Sequence, residues 1–473
     1  MLTIDALRRA DPNRLAGAGA AWHRLAETLA RQTADLDRQL TALRAGWTGS
    51  AADAATGLVF GLCDELDAAY PRLVDIERAM TAHGDVVARA CRLAAAVPDQ
   101  AVALAQWSDT ATAARLGGLF PGSPAIPPGP VGLTPAAPPD TGPLDVAAWW
   151  RGLSPATRHW LIDTRPELIG NLDGVPADAR DLANRARLSR LLAGPATPHR
   201  AALLGIQARL AGLGPTRAYL LGLSADGRGR AILALGDPDT ADHVVTYVPG
   251  LGGGLDGSAD EVTRAGHLSA AAGRAAPDRR TSVIAWLGYD APASLPEAAR
   301  IDDAVHAEPA LHRFQAGLRA THLGAASHNT VIGLSYGTTV VGLTGHGPGL
   351  EADDMVLVGS PGVGVAHAAD LGLDPAHVWA STARHDVINA AADPRDALRP
   401  DLNPLLRPLV GEHTDRLWYG PSPAGRGFGA HVFASAPGSG LDPVGAHLAY
   451  FDEGNPALAA MADIAVGAYA DVR

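Results

Sequence analysis

Apolar residues recur at intervals of three and four along the first 118 residues. Trp22, Leu25, Leu29, Leu36, Leu40 and Leu43 form one stripe, interrupted by a polar slot near Thr33. That spacing predicts an amphipathic helix, with Asp11-Pro12 as its cap and first helical position. A second stripe follows Ser50, whose pairing with Asp53 resembles a capping box. It runs Leu58, Leu62, Leu66 and then, beyond Pro71, Leu73, Ile76, Met80 and Val87. Proline inside a helix removes a donor and crowds the preceding turn, so a kink or break is expected at Pro71. The two stripes predict a helical hairpin within residues 1–118, turning at Trp47-Thr48-Gly49.

The pattern then changes twice. Residues 119–144 are rich in proline and glycine and read as a semi-extended linker. From 145 to 213 short helical segments predominate, one starting at Ser154-Pro155, another near Asp178 and a last near 197–213. Two runs, 217–224 and 230–236, are joined by the turn residues "ADGRG" and read as paired strands. Further strand-like runs lie at 243–249, 281–289, 329–335, 354–360, 377–383 and 431–436, most of them separated by helical stretches. Several are solidly apolar, as expected of strands covered on both faces. Two early strands followed by strand–helix alternation predict an α/β fold for 145–473, a mostly parallel sheet flanked by helices in the order of an α/β hydrolase. An all-α hairpin domain precedes it.

Composition narrows the functional classes. Of 473 residues, 47% are hydrophobic and 19% charged, too apolar a balance for a disordered chain. The net charge of −12 argues against a nucleic-acid partner, and every basic chain is arginine, since the sequence has no lysine. Cys63 and Cys91 match no zinc spacing and read as buried small hydrophobes; a disulfide would require the second helix to fold back. No apolar run has transmembrane length, and the first residues lack a signal-peptide core. The expectation is a cytoplasmic protein, with export by a non-classical route as the alternative.

The run "NTVIGLSYGTTVVGL" at 329–343 carries the chemistry. Gly333-x-Ser335-x-Gly337 falls where an apolar strand gives way to a helical stretch, the context of a nucleophile elbow. A serine needs a base, and the base an orienting carboxylate, in the chain order Ser, acid, His. Asp386, just past the 377–383 strand, is the expected acid, with Asp374 and Asp393 as rivals. His447 is the expected base, following a flexible loop and preceding the final helix, with His431 and His385 as rivals. Oxyanion donors are expected from the amide of Tyr336 and from Leu251 or Gly252 in "GLGGGLDG". That loop lacks the Gly-Lys-Ser/Thr of a phosphate cradle. Tyr289, at the end of a strand with Asp290, is a candidate pocket residue that could equally close the loop. Residues 387–430 are long for a connection and read as a lid, with Trp418 and Tyr419 as apolar contacts. No cofactor or metal site is expected; His-Glu-x-x-His is absent.

Two resemblances bear on these readings. The Trp47-Thr48-Gly49 turn between long helices resembles the W-x-G hairpin proteins of type VII secretion, which implies a helical partner at the hairpin. The Tyr-x-x-x-Asp/Glu secretion signal of that group has no match near 90–115. The segments "WWRGLSPATRHWLI", "ELIGNLDGVPADARDLANR", "VPGLGGG", "SVIAWLGYDAP", "TVIGLSYGTTVVGL", "DMVLVGSPGVGVAHAADLGL", "HVWASTARHD", "GFGAHVF" and "HLAYFDEG" together resemble an actinobacterial α/β-hydrolase family over about 146–473. That resemblance implies a serine hydrolase with Ser335, Asp386 and His447 as its triad. The expected substrate is a small or lipid-like carboxylic ester, with thioester or amide as variants. The alternative is a non-catalytic interaction protein that uses the hairpin on an idle hydrolase scaffold.

Overall fold

A computed structural model of the protein describes residues 4, 7, 10–44, 47, 50–95, 97–118, 137–194, 197–211, 216–390 and 416–473. The chain divides into two compact units. One comprises Met1–Ala137, Arg151–Arg165 and Ala211–Leu213, the other Pro138–Trp150, Pro166–Leu210 and Gly214–Arg473. The segment 151–165, expected to extend the second domain, thus packs within the first unit.

The first unit is helical: α1 Pro12–Arg44, α2 Ser50–Leu93 and α3 Pro98–Gly118. It is more than a hairpin. Val86, Val87 and Ala90 of α2 bury against Ala101, Leu104 and Ala105 of α3, and Leu7 joins them. Helix α2 is continuous through Pro71, so of the kink or break expected there, no break occurs. Within 44 residues the loss of one backbone donor is a local cost, and the turns on either side keep their own hydrogen bonds. Cys63 and Cys91 share this helix, about 42 Å apart at 1.5 Å per residue, so the helix does not fold back to pair them. Cys91 is a free thiol that donates to the Leu7 carbonyl at 3.3 Å. Two further helices follow in the chain, α4 Pro143–Gly152 and α5 Pro155–Thr164. Ser154 caps α5 by accepting the Thr157 amide at 3.2 Å, as its sequence suggests. Arg115 of α3 grips Asp163 of α5 through both carboxylate oxygens, at 2.8 and 2.7 Å. Trp47 is 41% exposed, while Thr48 and Gly49 of the expected turn lie outside the described residues. So do 119–136 of the expected linker and 391–415 of the expected lid.

The second unit is built on an eight-stranded sheet. Its strands are β1 Ala218–Ser224, β2 Arg230–Leu235, β3 His243–Val248, β4 Thr281–Leu287, β5 His328–Leu334, β6 Asp354–Val358, β7 Val378–Ser381 and β10 His431–Val432. The order is β1-β2-β4-β3-β5-β6-β7-β10. The pairs β1–β2 and β2–β4 are antiparallel and the rest parallel. A separate two-stranded ribbon pairs β8 Arg416–Leu417 with β9 Gly420–Pro421. This is the α/β-hydrolase arrangement that the sequence predicts. The last strand is shorter than the run at 431–436 suggests. After Val432 the Phe433 amide still reaches Ala380, but those of Ala434 and Ala436 turn to Arg473 and to the Asn455 side chain.

Side chains alternate across the sheet, so each strand feeds two cores. Val245, Tyr247, Ile332 and Leu334 face one core, which is closed by α7 Arg200–Ala211, α8 Ser258–Ala275 and α12 Pro456–Ala465. Val244, Val248 and Val331 face the other, closed by α9 Asp302–Thr321 and α10 Tyr336–His346. The free edge at β1 is guarded by side chains. On α6 Ala177–Ala193, Asp181 accepts the Leu220 amide at 2.8 Å and Asn184 donates to the Leu220 carbonyl at 3.0 Å. Asn171 brackets Leu223 in the same way, accepting at 2.9 and donating at 3.0 Å. These side chains use up the backbone groups with which another strand could pair. Among the described residues, no helix is long and apolar enough to cross a membrane.

Candidate active site

Strand β5 ends at Leu334 and α10 begins at Tyr336. The single residue between them, Ser335, has φ 56° and ψ −130°. It is the one non-glycine residue with positive φ among those described. Such a conformation costs roughly 1–3 kcal/mol and persists only where surrounding packing enforces it. The flanking glycines explain how the turn fits. A Cβ on Gly333 would lie 2.7 Å from the Thr338 Cα, and one on Gly337 would collide with the Val248 carbonyl. The Thr338 hydroxyl donates to the Ser335 carbonyl at 2.6 Å and lies 2.7 Å from Ser360 Oγ, which accepts the Gly362 amide. The Ser335 amide donates to Val358 at 3.0 Å.

The next residue, Gly359, ties the elbow to the other two expected residues. It has φ 57°, and a Cβ there would lie 3.0 Å from His447 Cε1 and 3.1 Å from Asp386 Oδ2. The sequence therefore leaves room, one residue from Ser335's backbone partner, for an imidazole and a carboxylate. His447 is carried on α11 Pro443–Leu448, a short helix after the expected loop and ahead of the final helix. Its Nδ1–H donates to Asp386 Oδ1 at 2.7 Å. Asp386 is 0% exposed and His447 9% exposed. The Ile388 amide also donates to Asp386 Oδ1 at 2.7 Å, and the Tyr450 hydroxyl donates to Oδ2 at 2.5 Å. The Ser335 hydroxyl makes no hydrogen bond among the described residues. The rivals lie elsewhere. Asp374 caps its own turn at the Ala376 amide, His431 is exposed beside Trp379, and Asp393 lies outside the described residues. The amide of His385 donates to the Pro437 carbonyl.

The glycine-rich loop passes over the elbow. A Cβ on Gly250 would stand 2.8 Å from Ser335 Cβ and 3.0 Å from the Tyr336 nitrogen, so only glycine permits this approach. Tyr336 opens its helix, which leaves its amide without an acceptor inside the helix. Gly252 does not supply the second donor, because its N–H is committed to the Pro292 carbonyl at 2.9 Å. The Leu251 amide, beside Gly250, donates to no backbone carbonyl among the described residues.

The expected pocket residues take structural positions. Tyr289 is buried and stacked on Trp286 at 5.9 Å, and its hydroxyl donates to the Pro249 carbonyl at 2.7 Å. It therefore braces the glycine-rich loop from beneath. Burial pushes its phenol well above the ordinary value, which keeps it a donor. Tyr419 is buried edge-on to Tyr336 at 6.0 Å with its hydroxyl on the Ala298 carbonyl, and Trp418 is half-buried against it. The Tyr336 hydroxyl donates to the Arg300 carbonyl at 2.7 Å and accepts the Ala304 amide; burial pushes it up to about 12. Asp290 pairs with Arg230 at 2.6 Å on the surface. Sequence reasoning missed Tyr450 and Gly359. A signal for Tyr450 existed, because three residues past His447 is one helical turn. Among the described residues, no group of three or more His, Cys, Asp or Glu side chains is placed to hold a metal ion.

Fold and site together define a domain of the α/β-hydrolase kind. Residues 225–395 match a family described as "Alpha/beta hydrolase". An uncharacterized protein of Mycobacterium tuberculosis is 36% identical over 400 residues, an alignment covering 73% of this chain and 58% of the relative. An uncharacterized protein of Mycobacterium bovis is 33% identical over 172 residues, covering 35% of this chain and 64% of the relative. The chain thus spans less than two thirds of the length of the curated relatives it matches. No solved structure matches the chain.

Proposed function

We propose that the protein is a serine hydrolase that cleaves carboxylic esters through an acyl-enzyme. The observation that carries this reading is Ser335, a non-glycine residue held at φ 56° between strand and helix. Strained non-glycine backbone of this kind clusters at functional sites, where the strain can serve the chemistry. Ser335 Oγ attacks the ester carbonyl while His447 Nε2 takes its proton. Asp386, bonded to Nδ1–H, fixes the tautomer and stabilises the imidazolium. The amides of Tyr336 and Leu251 receive the charge that develops on the carbonyl oxygen. His447 then returns the proton to the departing alcohol, and water repeats the sequence on the acyl-enzyme, releasing the acid and restoring the serine.

The surroundings favour an apolar acyl group. Leu441, Val444 and Leu448, on the turn and helix that carry His447, are 92%, 56% and 43% exposed, and Leu251 of the oxyanion loop is 42% exposed. Apolar side chains exposed on the segments that carry the proposed base and oxyanion donor suit a lipid-like acyl chain. A p-nitrophenyl ester series tests the reading. Turnover should rise from acetate towards octanoate, and Ser335→Ala should reduce it to the uncatalysed rate. Equal turnover by Ser335→Ala would refute it.

A further inference from the structure

Tyr450 is completely buried and makes two hydrogen bonds through one oxygen. It accepts the Ala383 amide at 2.7 Å and donates to Asp386 Oδ2 at 2.5 Å. The direction of its hydrogen is therefore settled: one lone pair faces an N–H, and the O–H points at the carboxylate. Burial first, then the charge of Asp386, raises the phenol well above its ordinary value, so it remains a donor. The segment it belongs to, Ala449–Phe451, is pinned from the far side by His267, whose ring nitrogen lies 2.8 Å from the Phe451 carbonyl.

Ala383 and Asp386 are the two ends of a four-residue turn in the loop that follows β7, and the Asp386 amide closes that turn onto the Ala383 carbonyl at 3.1 Å. Tyr450 bonds to the first residue through its backbone and to the last through its side chain. Asp386 Oδ1 is occupied by His447 and the Ile388 amide, which leaves Oδ2 to the phenol. A carboxylate with one oxygen unheld can rotate about its Cβ–Cγ bond and take the imidazole with it. We propose that Tyr450 is a positioning residue that locks the Asp386 carboxylate plane and, through it, the His447 ring over Gly359 and the elbow. This rests on the hydrolytic reading of Ser335, Asp386 and His447. It adds a fourth member, delivered by the same short stretch of chain that delivers the base.

The test is a double-mutant cycle on the full chain, read as kcat and KM for p-nitrophenyl butyrate and as the rate of Ser335 labelling by a fluorophosphonate. Melting by circular dichroism checks the fold of each variant. Tyr450→Phe keeps the ring and deletes only the hydroxyl; Tyr450→Met is a second variant without it. Either should lower kcat roughly tenfold with KM unchanged, since misplacement of a catalytic group acts on the chemical step. In an Asp386→Asn background the same changes should cost less than about twofold, because residues acting through one another are not additive. An equal loss in both backgrounds, or undiminished kcat in a folded Tyr450→Phe, overturns the inference while leaving the hydrolytic reading intact. A wild-type chain that neither labels nor turns over overturns the hydrolytic reading and this inference together.

Discussion

At Ser335 the backbone adopts a conformation that glycine reaches freely and other residues resist. The strain is measurable by comparing two inactive variants. Ser335→Gly should be more stable than Ser335→Ala by about 1 kcal/mol in urea unfolding, because only the alanine keeps the Cβ that suffers. Gly359 gives a second test. Gly359→Ala, at φ 57° with its new methyl against the His447 ring, should destabilise the protein by about 1 kcal/mol or more. It should also slow Ser335 labelling far more than that loss of stability explains. The glycines around Ser335 made the elbow legible in the sequence, because a steric requirement is written in residue types. The assignment of Gly252 as a donor was not legible. Which amide of a glycine-rich loop is free depends on where Pro292 lies, and no local spacing encodes that. The same holds for Tyr289: a tyrosine at a strand end reads alike whether its hydroxyl meets a substrate or the carbonyl of Pro249.

Among the elements, the strands were legible because apolar runs of strand length lie between turn residues, and their burial on both faces follows from the helices between them. The sheet's two ends were less so. The final run shrinks to His431–Val432 because its later amides find partners outside the sheet. The guarding of β1 by Asn171, Asp181 and Asn184 depends on long-range contacts. Asn184→Ala should cost about 2 kcal/mol, since it deserts the buried carbonyls of Gly170 and Leu220, seen as a lower urea midpoint with an unchanged slope. Helix α2 also runs through Pro71 without a break, because one lost donor is a small part of the hydrogen bonding of a 44-residue helix. With Cys63 and Cys91 on one helix, dithiothreitol should leave the melting temperature unchanged; a fall would require a disulfide that this geometry excludes.

Across the whole molecule, one buried carboxylate far from the site sets a pH dependence. Asp239 accepts the Thr321 hydroxyl at 2.5 Å and the Ala177 amide at 2.6 Å, yet burial pushes it up to about 6. A folded-state value above the unfolded one means that the folded state binds the proton more tightly. The stability from this group is therefore complete below about pH 4 and is lost as pH rises through about 6, by about 3 kcal/mol in all. The unfolding free energy of the wild type relative to Asp239→Asn should fall by about that amount between pH 4 and pH 7. The Ser335 hydroxyl oxygen can be addressed by a covalent probe. The folded 473-residue chain should take up one fluorophosphonate, peptide mapping should place the phosphonyl group on Ser335, and Ser335→Ala should take up none. Folded wild type that stays unlabelled, or a label that survives in Ser335→Ala, would contradict it.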